Sequence, residues 1–263
     1  MTHTSERVTN LVLYTLAGIG LLFFLIPVIS LLARMPWNRA SEVISNREVW
    51  DAFRLSLIVS GGAVILSFIY GFPIAWIMTR HTQRWTRVIR LIVLMPMVLP
   101  PIVGGVALLS AFGASSPIGQ ALGLIGIQLP FTTAGAILAA TFVSSPFMII
   151  SLESGMRGLQ KPLEHAAQIL GATQWTIIRK IIFPGLLPAI IGGAALTWAR
   201  ALGEFGATIA FAGNRPGYTQ TLPLAIYQAL QSDMDRALLI SAQLILITGC
   251  LMIFVRSKGI HDE

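Results

Sequence analysis

Residues 10–33 read NLVLYTLAGIGLLFFLIPVISLLA, a run without a single Asp, Glu, Lys or Arg. A helix rises about 1.5 Å per residue and bilayer hydrocarbon is about 30 Å deep, so a run of this length and character spans a membrane. Its apolar stretch exceeds the roughly 7–15 residues of a signal-peptide core, and no small-residue cleavage site precedes Arg34. It is expected to stay in place as an anchor.

Working outward, five more stretches meet the same length and hydropathy test: 52–79, 88–112, 131–152, 185–207 and 237–255. The second opens near Arg54, the third contains Pro96, Pro100 and Pro101, and the fifth carries Arg200 and Glu204. Over all 263 residues, 55% are hydrophobic and 11% charged, with a mean hydropathy of +0.76. Soluble domains carry about 25% charged residues. The composition therefore excludes a disordered chain and a soluble enzyme core, and the single cysteine, Cys250, excludes a disulfide scaffold. The expected fold is an all-α polytopic membrane protein with six transmembrane helices in one domain.

The net charge of +7 reads as topology, not as nucleic-acid binding. With the N-terminus in the cytoplasm, eleven of the 18 Lys and Arg fall on inside segments, among them Arg7, Arg80–Arg90, Arg157, Lys161, Arg179, Lys180, Arg256 and Lys258. Six fall outside (Arg34, Arg39, Arg47, Arg54, Arg215 and Arg236), and Arg200 is intramembrane. Both termini are thus expected on the cytoplasmic side.

The second, third and fifth stretches each hold a diglycine: Gly61-Gly62, Gly104-Gly105 and Gly192-Gly193. Small residues let membrane helices approach closely. Residues 95–101, MPMVLPP, must interrupt helical hydrogen bonding, and interrupted helices at membrane depth line cavities or lie buried in protein. The third stretch is a candidate wall of a pathway, with a packing kink as the other reading.

The longest polar segment on the inside face, 154–183, is patterned and not a plain linker. Pro162 suits a first helical turn and Glu164 complements its dipole. Leu163, Ala166, Ala167 and Leu170 recur at helical spacing, and Gly171 supplies a stop. Thr173 is positioned to cap a second helix on which Trp175, Ile178 and Ile182 share a face. Two short helices about a glycine make a knob, to lie on the membrane or to dock a soluble partner.

The stretch Leu163-Glu164-His165-Ala166-Ala167-Gln168-Ile169-Leu170-Gly171-Ala172, followed by Ile181-Ile182-Phe183-Pro184, resembles the coupling loop of ABC importer permeases. That pattern is Glu-Ala-Ala, three residues, Gly, nine residues, Ile, one residue, Leu-Pro. His165 stands where the family usually has Glu, with Glu164 adjoining it, and Phe183 stands in place of the Leu. Residues 99–105, LPPIVGG, are similar to the third-span signature of the oxyanion branch. Residues 200–208 (RALGEFGAT) with 211–214 (FAGN) are similar to one shared by molybdate and sulfate permeases, and 219–227 (TQTLPLAIY) resemble the molybdate side more.

The resemblance implies a type I importer permease in a prokaryotic inner membrane, carrying molybdate or tungstate, with sulfate or thiosulfate as the alternative. It implies a second copy of this chain, two cytoplasmic ATPase subunits using ATP and Mg, and an extracytoplasmic oxyanion-binding protein. The coupling loop then comprises Glu164, His165, Ala166, Ala167, Gly171, Ile181 and Pro184. The candidate pathway or gate comprises Pro100, Pro101, Gly104, Arg200, Glu204 and Thr208. No cofactor, metal or catalytic group is expected on this chain: it has no phosphate-binding Gly-x-x-x-x-Gly-Lys-Ser/Thr stretch, and His3, His81, His165 and His261 are scattered.

Arg200 and Glu204, at i, i+4 in an apolar stretch, are expected to share a helical face and pair. Two readings stay open, a part of the anion path or an ion pair that holds the fifth span. Glu204 itself is not expected to ligate a dianion, but to hold Arg200 or a nearby backbone group. Asn214-Arg215-Pro216-Gly217 is a turn by composition, exposed to solvent or to a binding protein. A secondary transporter would show paired broken spans, and one is evident here; an intramembrane hydrolase at Ser144-Ser145 lacks a nearby His or Asp. Cys250 is expected to be buried and inert.

Overall fold

The structure, a computed structural model, describes residues 2–81, 83–159 and 161–259, and side chains over 9–42, 45–81, 83–159 and 162–250. The charges of Arg7, Lys161, Arg256 and Lys258, the rings of His3 and His261, and the side chains of the sixth stretch past 250 lie outside the described residues.

Every regular element among the described residues is helical. In chain order these are α1 (Thr2–Ala33), α2 (Ala40–Ile44), α3 (Arg47–Arg80), α4 (Arg84–Val98), α5 (Pro101–Phe112), α6 (Pro117–Leu124), α7 (Thr133–Gly158), α8 (Lys161–Ile169), α9 (Gln174–Ile177), α10 (Phe183–Gly185), α11 (Leu187–Leu202), α12 (Gly206–Ala212), α13 (Leu222–Leu230) and α14 (Met234–Gly259). Among the described residues, α1, α3 and α7 are single helices long and apolar enough to cross a membrane. Two bent pairs, α4 with α5 and the α9–α10 segment with α11, bring the number to five if each pair is one span.

The core is built on α7, which packs against α3 and α11. Asn46 starts α3 by accepting the amides of Glu48 and Val49, and Thr132 starts α7 by accepting that of Gly135. Where α3, α7 and α11 meet, the buried side chains are small: Val59, Ala63, Ala136, Ala140 and Ala201. The second glycine of each pair is at a contact. A Cβ on Gly62 would come within 3.0 Å of Ile137, one on Gly193 within 2.8 Å of Ser151, and one on Gly105 within 2.6 Å of the Ala210 Cβ. Without the hydrophobic effect to hold them, these helices associate through close packing. By contrast α1 buries nothing in its apolar window and meets the bundle through α14.

The stretch 88–112 is two helices, α4 and α5, bent by 117°. Leu99 and Pro100 are both extended, with ψ of 137° and 131°, because each precedes a proline that disfavours helical backbone. The break leaves few orphans: Leu99 N–H still reaches Met95, and the amides of Val103 and Gly104 return to the Pro100 carbonyl. At the other bent pair Leu186 turns the chain by 64°, and Pro188 opens α11.

Candidate functional site: a helical knob and two broken spans

The knob runs from α8 to α10. Gly171 has φ +79°, a left-handed backbone that side chains disfavour. Its N–H bonds to the Gln168 carbonyl and that of Ala172 to the Ala167 carbonyl, both at 2.9 Å, the double closure of a Schellman turn. Thr173 then caps α9, accepting from the Thr176 amide.

After α9 the helix widens into a π turn over Ile178–Ile182. This register corrects the expected face. Ile177 and Ile182, five apart, are buried with Leu186 against Phe72, Trp76 and Met156, while Trp175 is 70% exposed. Ala167 packs on the same cluster, Ile181 is half-buried, and His165, Ala166 and Pro184 face outward. Leu163, Ile169, Leu170 and Trp175 leave an apolar crown exposed on the knob.

Glu164 turns inward. Its carboxylate lies 2.5 Å from the Arg80 guanidinium at the end of α3, and Arg80 sits over the Trp76 ring at 4.4 Å. The acidic group one position before His165 is thus held within the chain, while His165 presents a different chemistry at the surface.

The six pathway candidates do not all meet. Helix α11 ends at Leu202, so Arg200 and Glu204 do not share a continuous helix as the spacing suggested. They pair nevertheless: Arg200 Nη1 is 2.7 Å from Glu204 Oε2, an ion contact without hydrogen-bond alignment. Glu204 Oε1 accepts the Ala207 amide at 2.8 Å and so restarts the chain as α12. One carboxylate both neutralises Arg200 and satisfies the helix start, and it is almost wholly buried.

The Pro100 break and the Glu204 break adjoin. A Cβ on Gly206 would lie 2.9 Å from the Pro101 Cβ, so α5 and α12 abut at this point. Thr208 is buried one turn further, its hydroxyl without a protein partner, as is that of Thr197 on α11. Gly104 is also buried, under the Phe142 ring, whereas Pro100 and Pro101 are exposed. The fifth stretch, 185–207, is therefore interrupted at residues 203–205, a break that sequence reading missed. Its signal was available in Gly203-Glu204-Phe205-Gly206, two glycines around a capping side chain.

Sequence reading also missed a clasp at the opposite end of the bundle. Arg39 Nη2 contacts Asp233 at 3.0 Å and Nη1 contacts Asp235 at 3.1 Å, with Glu42 on its Nε; Arg236 pairs with Glu48. The hydrogen bond from Arg39, then the Arg236 amide, hold the Asp233 carboxyl below its ordinary range, and the same carboxylates raise Arg39. The turn expected at 214–217 forms slightly later, at 216–219, closed by the Tyr218 and Thr219 amides on the Arg215 carbonyl, with Gly217 at φ +74° and Arg215 over the Tyr218 ring. Cys250 faces outward from the bundle, not inward as expected.

Residues 71–257 match the family described as binding-protein-dependent transport system inner membrane component. The chain belongs to that family. It is similar to the molybdenum transport system permease protein ModB of Mycobacterium tuberculosis, 38% identical over 93% of each chain. It is 41% identical to ModB of Escherichia coli K12 over 70% of this chain and 80% of that one. The sulfate transport system permease protein CysT of the same organism is 34% identical over 90% of this chain and 88% of that one. Among solved structures, a chain of a bacterial ABC transporter that imports the acidic polysaccharide alginate superimposes with a TM-score of 0.77 at 16% identity, covering 98% of both. The permease thus has the fold of ABC importer membrane subunits and is a membrane protein.

Proposed function

We propose that this permease is the membrane subunit of an ATP-driven importer for a tetrahedral oxyanion, molybdate first and tungstate with it. The observation that carries this reading is the 38% identity to a molybdenum permease along 93% of both chains, above the 34% shared with a sulfate permease. Two copies of the chain enclose the path, two ATPase subunits supply ATP hydrolysis with Mg, and an extracytoplasmic binding protein delivers the anion.

The knob is the contact for the ATPase. Its exposed Leu163, Ile169, Leu170 and Trp175 offer apolar surface to a groove, with His165 and Ala166 on the same outer side. Glu164, through Arg80, and Ala167, on the cluster with Phe72, Trp76 and Met156, hold that surface to α3 and α7, while Gly171 sets its turn and Ile181 and Pro184 lead on to α11. In this reading the knob and both termini are cytoplasmic, in agreement with the distribution of Lys and Arg.

The two adjoining breaks form the gate. Arg200 offsets desolvation of a dianion, and Glu204 moderates it, because conduction needs a site strong enough to enter and weak enough to leave. The unpartnered Thr197 and Thr208 hydroxyls beside the breaks are suited to donate to oxyanion oxygens. The test is cellular molybdenum at limiting molybdate in a strain lacking the gene. Loss of accumulation, unrelieved by the sulfate system and uncompeted by excess sulfate in the parent, is expected; unchanged accumulation would refute the assignment.

A further inference from the structure

Beyond the oxyanion path, the geometry points to a binding site for one anionic phospholipid where the end of α3, the start of α4 and the end of α7 converge. It rests on the permease's membrane setting and is independent of which anion is imported. A cavity of about 200 Å³ opens there, walled by His81, Arg87, Arg90 and Arg157 with Thr79 and Thr86. The two hydroxyls donate to backbone carbonyls, Thr79 to Ala75 and Trp76 and Thr86 to Gln83. The donors left to the cavity are the three guanidiniums and a ring N–H of His81.

Their charge is incompletely matched. Glu153 Oε1 accepts from Arg157 at 2.8 Å and also from Arg90, so two guanidiniums share one carboxylate. Arg87 has no carboxylate partner among the described residues. Three cations against one anion leave an excess of two positive charges around a small polar cavity. Guanidinium forks bind phosphate bidentately.

What distinguishes a lipid from a free anion is the space that joins it. Met78, Arg90 and Arg157 also line a second cavity of about 310 Å³, with Glu153 and Ser154 at the same end as the arginines and Val93, Leu94 and Ile150 as its apolar walls. Val93 and Leu94 lie one turn beyond Arg90 on α4, and Ile150 lies two turns back from Arg157 on α7. Both helices therefore lead from the basic cavity into apolar surface. A phosphate head with an acyl chain fits that pair of spaces, whereas inorganic phosphate or an oxyanion makes no use of the second. Basic pockets between membrane helices are known sites for acidic headgroups. On the outer side of α4, Val88, Leu91, Ile92 and Met95 are exposed beside the same arginines, as expected of a helix lying at the lipid interface.

The test is native mass spectrometry and thermal unfolding of the full chain in mild detergent, with phosphatidylglycerol, phosphatidylcholine or inorganic phosphate added. Phosphatidylglycerol should be retained at least several-fold over phosphatidylcholine and should alone raise the unfolding midpoint. Arg87→Gln, which strips no carboxylate of its partner, should lower that retention several-fold with the lipid-free midpoint unchanged. Arg87→Lys should recover part of it. Equal retention of the two lipids, or full retention in Arg87→Gln, would overturn the site. Displacement of the lipid by millimolar inorganic phosphate, with the same rise in midpoint, would show a free-anion site and overturn it as well.

Discussion

Glu164 on the knob and Arg80 at the end of α3 lie 2.5 Å apart although 84 residues separate them in the chain. The pair fastens the knob, which we propose as the ATPase contact, onto the helix that packs most closely with α7. Arg80 is about one-third exposed, so the contact contributes about 1 kcal/mol, above the surface norm and below a fully buried pair. Its larger effect is on alignment. Glu164→Gln should leave insertion and basal ATPase activity intact while transport falls several-fold. The exchange Arg80→Glu with Glu164→Arg should recover part of the loss, which a purely local folding defect would not show.

Gly171 closes α8 with φ +79°. A side chain there costs about 1 kcal/mol or more, most for a β-branched one. A Cβ would meet no neighbour within 4 Å, so the penalty is conformational and not steric. Gly171→Val should insert normally but hydrolyse ATP without transport, while Gly171→Asn should keep most function. His165→Glu should be tolerated, since the ring is exposed. Normal uptake by Gly171→Val in reconstituted vesicles would remove the docking role.

The Arg200–Glu204 contact separates two accounts. If the pair belongs to the gate, Arg200→Gln lowers oxyanion flux while basal ATPase activity survives. Glu204→Gln keeps an oxygen for the Ala207 amide but leaves Arg200 unneutralised, so flux falls because the anion is held too tightly. If the pair is scaffold, both changes destabilise alike, by about 3–5 kcal/mol for breaking a buried pair. Uptake and detergent thermal stability, measured on both variants, decide between them.

The clasp at Arg39 and Asp233 has a defined pH signature. Folding lowers the Asp233 pKa, so its contribution is complete above the ordinary carboxylate value near about 4 and is lost as pH falls through the lower folded value. Asp233→Asn should lower the unfolding midpoint at neutral pH, and the gap to wild type should close only below about pH 4. A gap that closes between pH 6 and 7 would contradict the pairing.

Hydropathy made the apolar stretches legible, and the prolines at 96, 100 and 101 made the first break legible, since proline acts on the backbone wherever it sits. The Gly171 turn was legible for the same reason. The break after Leu202 was read over, because Arg200 and Glu204 at i, i+4 read as an unbroken helical pair and outweighed Gly203 and Gly206 beside them. Glu204 was expected to hold Arg200 or a nearby backbone group, and the fold shows that it does both, with its other oxygen on the Ala207 amide. The π turn at Ile178–Ile182 likewise leaves no mark on a 3.6-residue pattern, and it moved the buried face from Trp175 to Ile177. The clasp joins Arg39 to residues nearly 200 positions away, beyond any local signal.

ATP-dependent uptake in proteoliposomes, containing this permease with its ATPase subunits and binding protein, tests the import reading most directly. Labelled molybdate should accumulate only with ATP and binding protein both present, and unlabelled tungstate should compete while sulfate in equal amount should not. Accumulation driven by an ion gradient without ATP, or sulfate carried as readily as molybdate, would contradict it.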